Sequence, residues 1–478
     1  MLLPVLVGIS ILERNAVVEG ISEWLKSPET IRKSRKKYAH FDKRVDIGKV
    51  RNYLTNPDNV AHHGFYPFIH YTKTTRKYSI DSEGNWYKKT KQREISYAAH
   101  LDSCIYQYYS FLLNRAYEQK LIELGISDVP VAYRANGMNN IKVANRAFDF
   151  IIKSQECSII IGDFTDFFDK LDHRYLKRQI CKVLGQYTLP KDYYAVFKNI
   201  TAYSVWERGD LLTLHGFAND AQGVKTLNSL DTVFEGLPGY YHKYRNQIHK
   251  HRDKFGIPQG SPISGCLANI YMLSIDKEIT AYVKKYHGIY MRYSDDFIIV
   301  IPGNREKVIK HIVEQFQMYQ NQKLLTLQPE KTQIFQLYAD KTLTNISEHV
   351  LGLTIESTLK VINFLGFKFD GKEVTLRPKT VSKYYYRMRH KAIGIAHQYW
   401  KHNRFVGQKD LYRRYAKTGT MSKNLKKAQA SPSLQKYGNF LSYVDRAKRE
   451  FADQPVDRDT KNHMRKIRKC LKKHKRTY

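Results

Sequence analysis

Two adjacent carboxylates between two apolar runs constrain the fold of this chain more than any other feature. The segment Tyr293-Ser294-Asp295-Asp296 follows an apolar run that starts at Ile289 and precedes another over residues 297–301. Short apolar runs on both sides of a polar turn predict a β-hairpin. Aspartates are common in such turns, but two neighbouring carboxylates also repel each other until a divalent cation binds. The hairpin therefore indicates either an Asp-rich turn or part of a metal site.

A second apolar strand supplies a third carboxylate. The run around Ile159 leads into the motif DFTDFFD, which starts at Asp163, and a helical pattern follows His173. At the end of its strand, Asp163 would reach the same ions as Asp295 and Asp296. Mg²⁺ prefers oxygen ligands, so three carboxylates and substrate phosphates suit two Mg²⁺ ions, with Mn²⁺ as a substitute. Two such ions activate an attacking 3′-hydroxyl and stabilise the departing pyrophosphate.

A loop rich in Gly and Pro is the third signal. The text GIPQGSPISG spans residues 256–265, and a helical pattern follows Pro262. Gly and Pro at this density mark a loop whose backbone can approach a ligand closely, followed by a helix start. Alone, the pattern also fits an ordinary loop and helix cap. In this order with the two carboxylate motifs, it indicates a binding loop.

These motifs resemble, in the same order, the palm motifs of reverse transcriptases. DFTDFFDKLDH resembles the first catalytic motif, GIPQGSPISG the second, and YSDD the YxDD box. LQPEKTQIF resembles the motif with a lysine near the triphosphate, and INFLGFKF resembles the primer grip, so the resemblance spans residues 91–369. It implies an α+β right-hand polymerase fold with fingers, a palm built on an antiparallel sheet, and a helical thumb. The expected domains are 1–150 (N-terminal region and fingers), 151–370 (palm) and 371–478 (thumb and a basic helical extension).

The resemblance also assigns a role to each motif residue. The expected metal ligands are Asp163, Asp295, Asp296 and the carbonyl of Phe164, and the expected catalytic proton donor to pyrophosphate is Lys331. The expected nucleotide-binding residues are Lys91, Arg93, Asp166, Phe167, Phe168 and Gln259, with Asp166 and Phe167 acting through their backbone. The expected primer grip is Phe364, Leu365 and Gly366. For Lys91 and Arg93, a plain exposed hairpin is the competing interpretation.

Phe168 bears on the choice between DNA and RNA as product. It lies five residues after Asp163, where the family places a bulky aromatic side chain against the sugar C2′ position. A ring there would clash with a 2′-hydroxyl and favour deoxynucleotides. The competing interpretation is a Phe that is simply packed in the core.

The charge predicts a polyanionic partner. The chain has 80 Lys and Arg against 45 Asp and Glu, a net charge of +35. From residue 377 onward the sequence is basic, aromatic and helical in pattern, without the sustained apolar face that a membrane-surface helix needs. The expected RNA-binding residues are Arg387, Arg389, Lys391, Arg465, Lys466, Arg468 and Lys469. Tyr384, Tyr385, Tyr386, Tyr399 and Trp400 are candidates for stacking on bases, and the very end is expected to be disordered until RNA binds.

Cysteine usage and hydropathy predict the compartment. The five cysteines are scattered, and no pair has zinc-ligand spacing, which favours a reducing environment. The apolar start MLLPVLVGISIL lacks a basic flank and a cleavage site, so it reads as a buried strand or helix. No run is long enough to span a bilayer. We therefore expect a cytoplasmic protein without a membrane partner.

Segments outside the motifs narrow the resemblance to bacterial stand-alone reverse transcriptases. HGFYPFIHY, AYRANGMNNIKVANRAF, LPKDYYAVFKNITAYS and SYVDRAKREF are similar to the unknown-group and defence-associated enzymes, relatives of retron and abortive-infection reverse transcriptases. That resemblance implies antiphage defence, in which a structured noncoding RNA is the template, deoxynucleoside triphosphates are the substrates and DNA is the product. It leaves a homo-oligomer open.

Other functions stay open at this point. A template-independent enzyme, or one primed by a protein tyrosine, would share the same motifs, and 36 tyrosines including Tyr478 motivate the second of these. A retron-type enzyme would make RNA-linked single-stranded DNA. A non-catalytic RNA-binding scaffold is opposed by the intact Asp163, Asp295 and Asp296.

Overall fold

The computed structural model describes residues 11–80, 85–237, 243–328, 332–352, 360–403, 406–417 and 439–475. Lys331, Tyr478 and the first ten residues of the apolar start lie outside these ranges. The helices are α1 Ile11–Lys26, α2 Pro28–Ser34, α3 Arg51–Leu54, α4 Pro57–Ala61, α5 His100–Glu123, α6 Asn140–Ser154, α7 His173–Leu184, α8 Lys191–Thr201, α9 Arg208–Leu214, α10 Ala221–Leu227, α11 Ser264–Tyr271, α12 Leu273–Lys284, α13 Glu306–Asn321, α14 Ser347–Leu351, α15 Pro378–His402, α16 Gln408–Tyr415, α17 Phe440–Glu450 and α18 His463–Lys475. Short 3₁₀ helices cover Phe167–Lys170, Arg245–Gln247 and Arg458–Thr460.

The strands group into sheets that are not contiguous in sequence. They are β1 Phe68–Thr72, β2 Thr75–Ile80, β3 Trp86–Lys91, β4 Glu94–Tyr97, β5 Cys157–Asp163, β6 Ser204–Glu207, β7 His249–Lys250, β8 Ile289–Tyr293, β9 Asp296–Pro302, β10 Gln333–Leu337, β11 Leu343–Asn345, β12 Ile362–Phe364, β13 Phe367–Phe369 and β14 Val374–Leu376. The sheet orders are β4-β1-β6-β7, β11-β10-β5-β9-β8, β12-β13-β14 and the pair β2-β3.

The chain divides into two compact units. The first comprises Met1–Ala135, Asp163–Tyr282 and Ile312–Gln328, and the second comprises Asn136–Gly162, Val283–His311 and Pro329–Tyr478.

The five-stranded sheet of the second unit contains the strands predicted around Ile159 and at residues 297–301. β5 pairs antiparallel with β10, and β8 pairs antiparallel with β9. Both predicted strands are buried almost throughout, which explains why their sequences are continuous apolar runs without alternation. Gly162 lies against the Phe297 ring, and a Cβ there would overlap that ring. The glycine therefore lets β5 and β9 approach each other.

In the first unit, the long spacing between Asp163 and Gln259 has a structural cause. The intervening segment contributes β6, which pairs parallel with β1, and β7, which pairs antiparallel with β6. It also adds a small core around Trp206, Leu212 and Val233, all fully buried. The insertion therefore extends the sheet that begins with β4 and β1.

The C-terminal part of the second unit is helical, as the sequence predicts. α15 and α18 pack against each other. Ile467 and Leu471 lie one helical turn apart on the buried side of α18. This apolar stripe shows that the expected disorder was wrong for His463–Lys475, since the segment has a face to bury despite its charge.

Candidate active site

The YSDD segment forms the predicted β-hairpin. Tyr293 of β8 pairs with Asp296 of β9, and Ser294 in the turn has a left-handed backbone, with φ 65°. Non-glycine residues adopt this conformation only when their surroundings hold them in it. The fully buried Arg292 does so here, because its guanidinium donates to the Ser294 carbonyl at 3.0 Å. The turn that carries Asp295 and Asp296 is thus fixed from inside the unit.

Asp163 is the last residue of β5, as the sequence predicts. Its carbonyl accepts a hydrogen bond from the Gln328 backbone at 3.0 Å, and the next residues continue this pairing through Thr165 and Thr326 at 2.8 Å. Phe164 is buried between Phe167 and Phe316. Among the described residues, no three His, Cys, Asp or Glu side chains are grouped closely enough to hold a metal ion. The metal ligands therefore stay a prediction that rests on the type of donor and its position on a strand.

Backbone hydrogen bonds join the first motif to the Gly-rich loop within the first unit. Ile257 donates to the Phe168 carbonyl and Gly256 to the Leu171 carbonyl, both at 2.9 Å. Gly256 has φ +88°, and a Cβ there would lie 2.8 Å from the Asp169 carbonyl oxygen. A side chain at this position would push the two motifs apart, so the glycine follows from their close approach.

A cavity of about 450 Å³ lies where these two motifs meet. Phe168 and Gln259, both predicted as nucleotide-binding, line it. The side-chain amide of Gln259 donates to the Asp169 carboxylate at 3.3 Å, and the backbone carbonyl of Gln259 accepts from the Ser96 backbone at 2.8 Å. Burial raises the pKa of Asp169, a shift that the Gln259 hydrogen bond opposes and the nearby Asp166 reinforces. The amide of Gln259 is thereby held at the cavity wall.

Three further residues of this cavity were not predicted from the sequence. Tyr133 packs on Gly265, where a Cβ would lie 2.8 Å from the ring, and it meets Phe168 edge-on with 6.4 Å between centroids. Asn114 and Ser261 each have a buried side-chain oxygen without a hydrogen-bond partner in the described part of the chain. Buried polar atoms of this kind generally need a partner, so the cavity suits a ligand with polar groups. Only the positive φ of Tyr133, 60°, marks it as unusual, and the sequence does not reveal it.

The remaining nucleotide-binding candidates lie apart from the cavity lining. Asp166 adopts a left-handed backbone that starts the 3₁₀ turn, and Phe167 is buried. Lys91 pairs with Thr75 at the base of the β2-β3 hairpin. Arg93 exchanges backbone hydrogen bonds with Lys73 at 2.8 and 3.2 Å. Both Lys91 and Arg93 have exposed side chains, which fits phosphate binding and a plain hairpin equally well.

The predicted primer grip is a tight turn between β12 and β13. Leu365 and Gly366 have φ values of +46° and +95°. The side-chain amide of Asn140 donates to the Leu365 carbonyl at 3.2 Å and to the Tyr443 hydroxyl at 3.0 Å. Neither Asn140 nor Tyr443 was predicted as a functional residue, because the sequence gives no sign that they meet.

The predicted RNA-binding residues lie on the packed helices α15 and α18. These helices carry six and seven Lys or Arg respectively, and neither contains an acidic residue. We call the exposed members of the predicted set the basic face; it consists of Arg387, Arg389, Arg465, Lys466, Arg468 and Lys469. Lys391, by contrast, is half-buried and lies 3.4 Å from the Asp410 carboxylate.

The predicted stacking residues divide by exposure. Tyr384 and Tyr385 are buried, and their hydroxyls donate to the backbone carbonyls of Tyr415 and Asp459 at 2.6 and 2.9 Å. The stacking prediction was therefore wrong for these two residues. Tyr386 is 56% exposed and can present its ring.

The described residues also bear on the compartment predictions. The five cysteines are free thiols, and four of them are buried. No helix in the described part of the chain is both long and apolar enough to cross a membrane.

Comparison with known proteins gives one family match. A family model described as "Reverse transcriptase (RNA-dependent DNA polymerase)" matches residues 112–369, more than half of the chain. No curated protein matches the sequence.

Several solved structures are similar at low identity. One is an apo telomerase from Candida tropicalis truncated from its C-terminal domain, with 12% identity and a TM-score of 0.37; the match covers 70% of this chain and 61% of that one. Another is a telomerase from Candida albicans in complex with the TWJ fragment of telomeric RNA, with 11% identity, a TM-score of 0.39 and coverage of 90% and 68%. Scores this low do not establish a shared function.

Proposed function

The chain belongs to the reverse transcriptase (RNA-dependent DNA polymerase) family, and we propose that it copies an associated noncoding RNA into DNA in bacterial antiphage defence. Its α+β architecture is the right-hand polymerase fold of that family, with a helical C-terminal part. The family supplies the reaction class, and the residues below support the proposed substrates and partner.

The cavity shared by the first motif and the Gly-rich loop is the observation that carries the proposal. Phe168 and Gln259 both line it. Gln259 also donates a hydrogen bond to Asp169, the neighbour of Phe168, across 90 positions of sequence. A nucleotide has a flat base, a sugar and hydroxyls, which an aromatic ring, a side-chain amide and buried polar oxygens can recognise. Phe168 would exclude a 2′-hydroxyl, so the proposed substrates are deoxynucleoside triphosphates.

The proposed metal ligands are Asp163, Asp295, Asp296 and the Phe164 carbonyl. Their oxygen donors suit two Mg²⁺ ions, with Mn²⁺ as a substitute. Asp163 follows Gly162 and Asp296 precedes Phe297, the two residues through which β5 and β9 approach each other. When bound, the ions would assist attack by a 3′-hydroxyl and neutralise charge on the pyrophosphate. Lys331 would donate the proton to that leaving group.

The basic face supports a structured RNA as the partner. Its side chains are exposed on helices that contain no acidic residue, so they present positive charge to solvent. Binding of phosphates to such a surface releases counterions and favours RNA without reading its sequence. The proposed defence role rests on the resemblance to defence-associated enzymes, and the proposed cytoplasmic location rests on cysteine usage and hydropathy.

The proposal is tested by expressing the gene with its native flanking DNA in bacteria and sequencing the RNA and DNA that purify with the protein. The control is the double variant Asp295→Ala with Asp296→Ala, which should keep the RNA and lose the DNA. This separation is expected because both side chains lie on the hairpin turn, whereas α15 and α18 carry the basic face.

Each outcome decides between functions. One small RNA with complementary DNA, lost only in the double variant, supports templated synthesis. DNA without a complement in the bound RNA supports the template-independent alternative, and DNA that runs differently after protease digestion supports protein priming. RNA covalently joined to the DNA supports a retron-type enzyme. If neither protein carries DNA even after phage infection, the polymerase proposal is refuted.

A further inference from the structure

The primer-grip turn is held by two residues from outside the family motifs. Asn140 is the first residue of α6, and Tyr443 lies in α17 of the C-terminal extension. The turn itself, Leu365-Gly366, joins β12 to β13, and all three elements belong to the second unit. Residues separated by up to 303 positions in sequence therefore meet at one turn.

Two hydrogen bonds diverge from the side-chain amide of Asn140. A side-chain amide has two N–H donors, and Asn140 donates to the Leu365 carbonyl at 3.2 Å and to the Tyr443 hydroxyl at 3.0 Å. The Leu365 carbonyl can only accept, so it sets the amide with its nitrogen toward the turn, and the Tyr443 oxygen accepts the second hydrogen bond from that nitrogen. Without the Tyr443 hydroxyl, one hydrogen bond instead of two restrains the Asn140 side chain, which then has more freedom to move away from the turn.

The turn needs this support because its backbone is unusual. Leu365 has φ +46°, a left-handed conformation that non-glycine residues adopt only when held there. The Tyr443 hydroxyl also lies 3.7 Å from where a Cβ of Gly366 would be. On its other side the turn is fixed by the Arg377 backbone, which donates to the Gly366 carbonyl at 3.0 Å.

The position of Tyr443 is well defined. Its ring stacks on Phe440 with 6.0 Å between centroids and packs near Phe367 at 6.3 Å. Burial raises the pKa of Tyr443, a shift that the Asn140 hydrogen bond and the nearby Arg446 oppose. The hydroxyl thus stays protonated and lies at the turn through its hydrogen bond with Asn140.

We propose that Tyr443 is a positioning residue for the primer terminus: it orients Asn140, which holds the Phe364–Gly366 turn in the shape that receives the primer. The inference rests on the proposed polymerase function. It assigns part of primer binding to the C-terminal extension, through a contact that the family motifs do not contain.

The test compares Tyr443→Phe with Asn140→Asp in extension of a DNA primer annealed to a defined RNA template. Tyr443→Phe keeps the ring and removes one hydroxyl. Asn140→Asp removes the donor but places an acid at the first turn of α6, where it favours the helix. The matched control is Tyr187→Phe, a fully exposed tyrosine outside the motifs and the basic face.

Tyr443→Phe should raise the KM for primer–template about fivefold, the usual effect of losing one hydrogen bond. Asn140→Asp loses both hydrogen bonds and sets a carboxylate against the Leu365 carbonyl, so it should raise this KM at least as much. We expect kcat and the KM for the deoxynucleotide to stay within about twofold of those of the unaltered protein. The melting temperature should stay within a few degrees. The double variant should be no worse than Asn140→Asp alone, because the two residues act through one contact.

Three results would overturn the inference. Tyr443→Phe could behave like Tyr187→Phe, the two effects could multiply in the double variant, or only the melting temperature could fall. In each of these cases the unaltered protein still extends the primer normally, so the polymerase proposal stands and only this inference fails. If the unaltered protein extends no primer at all, the polymerase proposal fails and this inference fails with it.

Discussion

Replacement of Phe168 with alanine should let the enzyme accept ribonucleotides. The Phe168 ring lines the proposed nucleotide cavity, lies edge-on to Tyr133 at 6.4 Å, and packs near Phe167 at 5.7 Å. The backbone at this position is also fixed, since the Phe168 carbonyl accepts from Ile257. The ring has little freedom to move aside for a 2′-hydroxyl.

The size of the effect follows from the packing. Forcing an additional group into a packed site costs about 1–3 kcal/mol, and each 1.4 kcal/mol is a tenfold change. Discrimination against ribonucleotides of about 5- to 150-fold should therefore disappear with the ring. The measurement is the ratio of kcat/KM for dNTP and rNTP incorporation opposite one template base.

Phe168→Tyr is the matched control, because it keeps the ring and should keep the discrimination. Melting curves check that Phe168→Ala remains folded, since the side chain is only half-buried. An unchanged dNTP/rNTP ratio in folded Phe168→Ala would show that the ring does not face the sugar. Phe168 would then be a packing residue, and the choice of product sugar would lie elsewhere.

Three other predictions test the fold and the RNA partner. His40 accepts a hydrogen bond from the Phe41 backbone on Nδ1, and burial lowers its pKa to about 3. Below an unfolded-state pKa of about 6.5 the unfolded chain binds a proton that the native state does not, so the unfolding free energy should fall by about 2 kcal/mol between pH 6.5 and 5. If the unfolding free energy of His40→Asn changed with pH as steeply as that of the unaltered protein, this reasoning would be contradicted. Gly162→Val should destabilise the protein by about 1–3 kcal/mol through overlap with the Phe297 ring, measured by urea unfolding against Gly394→Val, a position with open space around it. Alanine at the four basic-face residues of α18 should weaken RNA binding and reduce its salt dependence by about 0.7 in slope per lost phosphate contact, whereas Arg413→Ala with Arg414→Ala, whose side chains pair with Asp410, should change the slope less.

The sequence determined the strands and loops that carry the chemistry. β5 and β9 appear at the predicted positions because each is a short apolar run with polar residues at its end. The Gly-rich loop before α11 is equally local, since backbone geometry there depends on Gly and Pro. Asp163, Asp295 and Asp296 could be predicted as site residues because each lies beside one of these strands in the sequence.

Only the tertiary structure decided which residues complete the site. Tyr133 and Asn114 line the proposed nucleotide cavity from segments outside the motifs, and Asn140 meets Tyr443 across 303 positions. Tyr384 and Tyr386 are two residues apart, yet one is buried and the other exposed, because the packed side of α15 faces its neighbouring helices. Local pattern fixes the period of a helix or strand, whereas the partner of each face depends on how distant segments pack, and no single stretch of sequence contains that information.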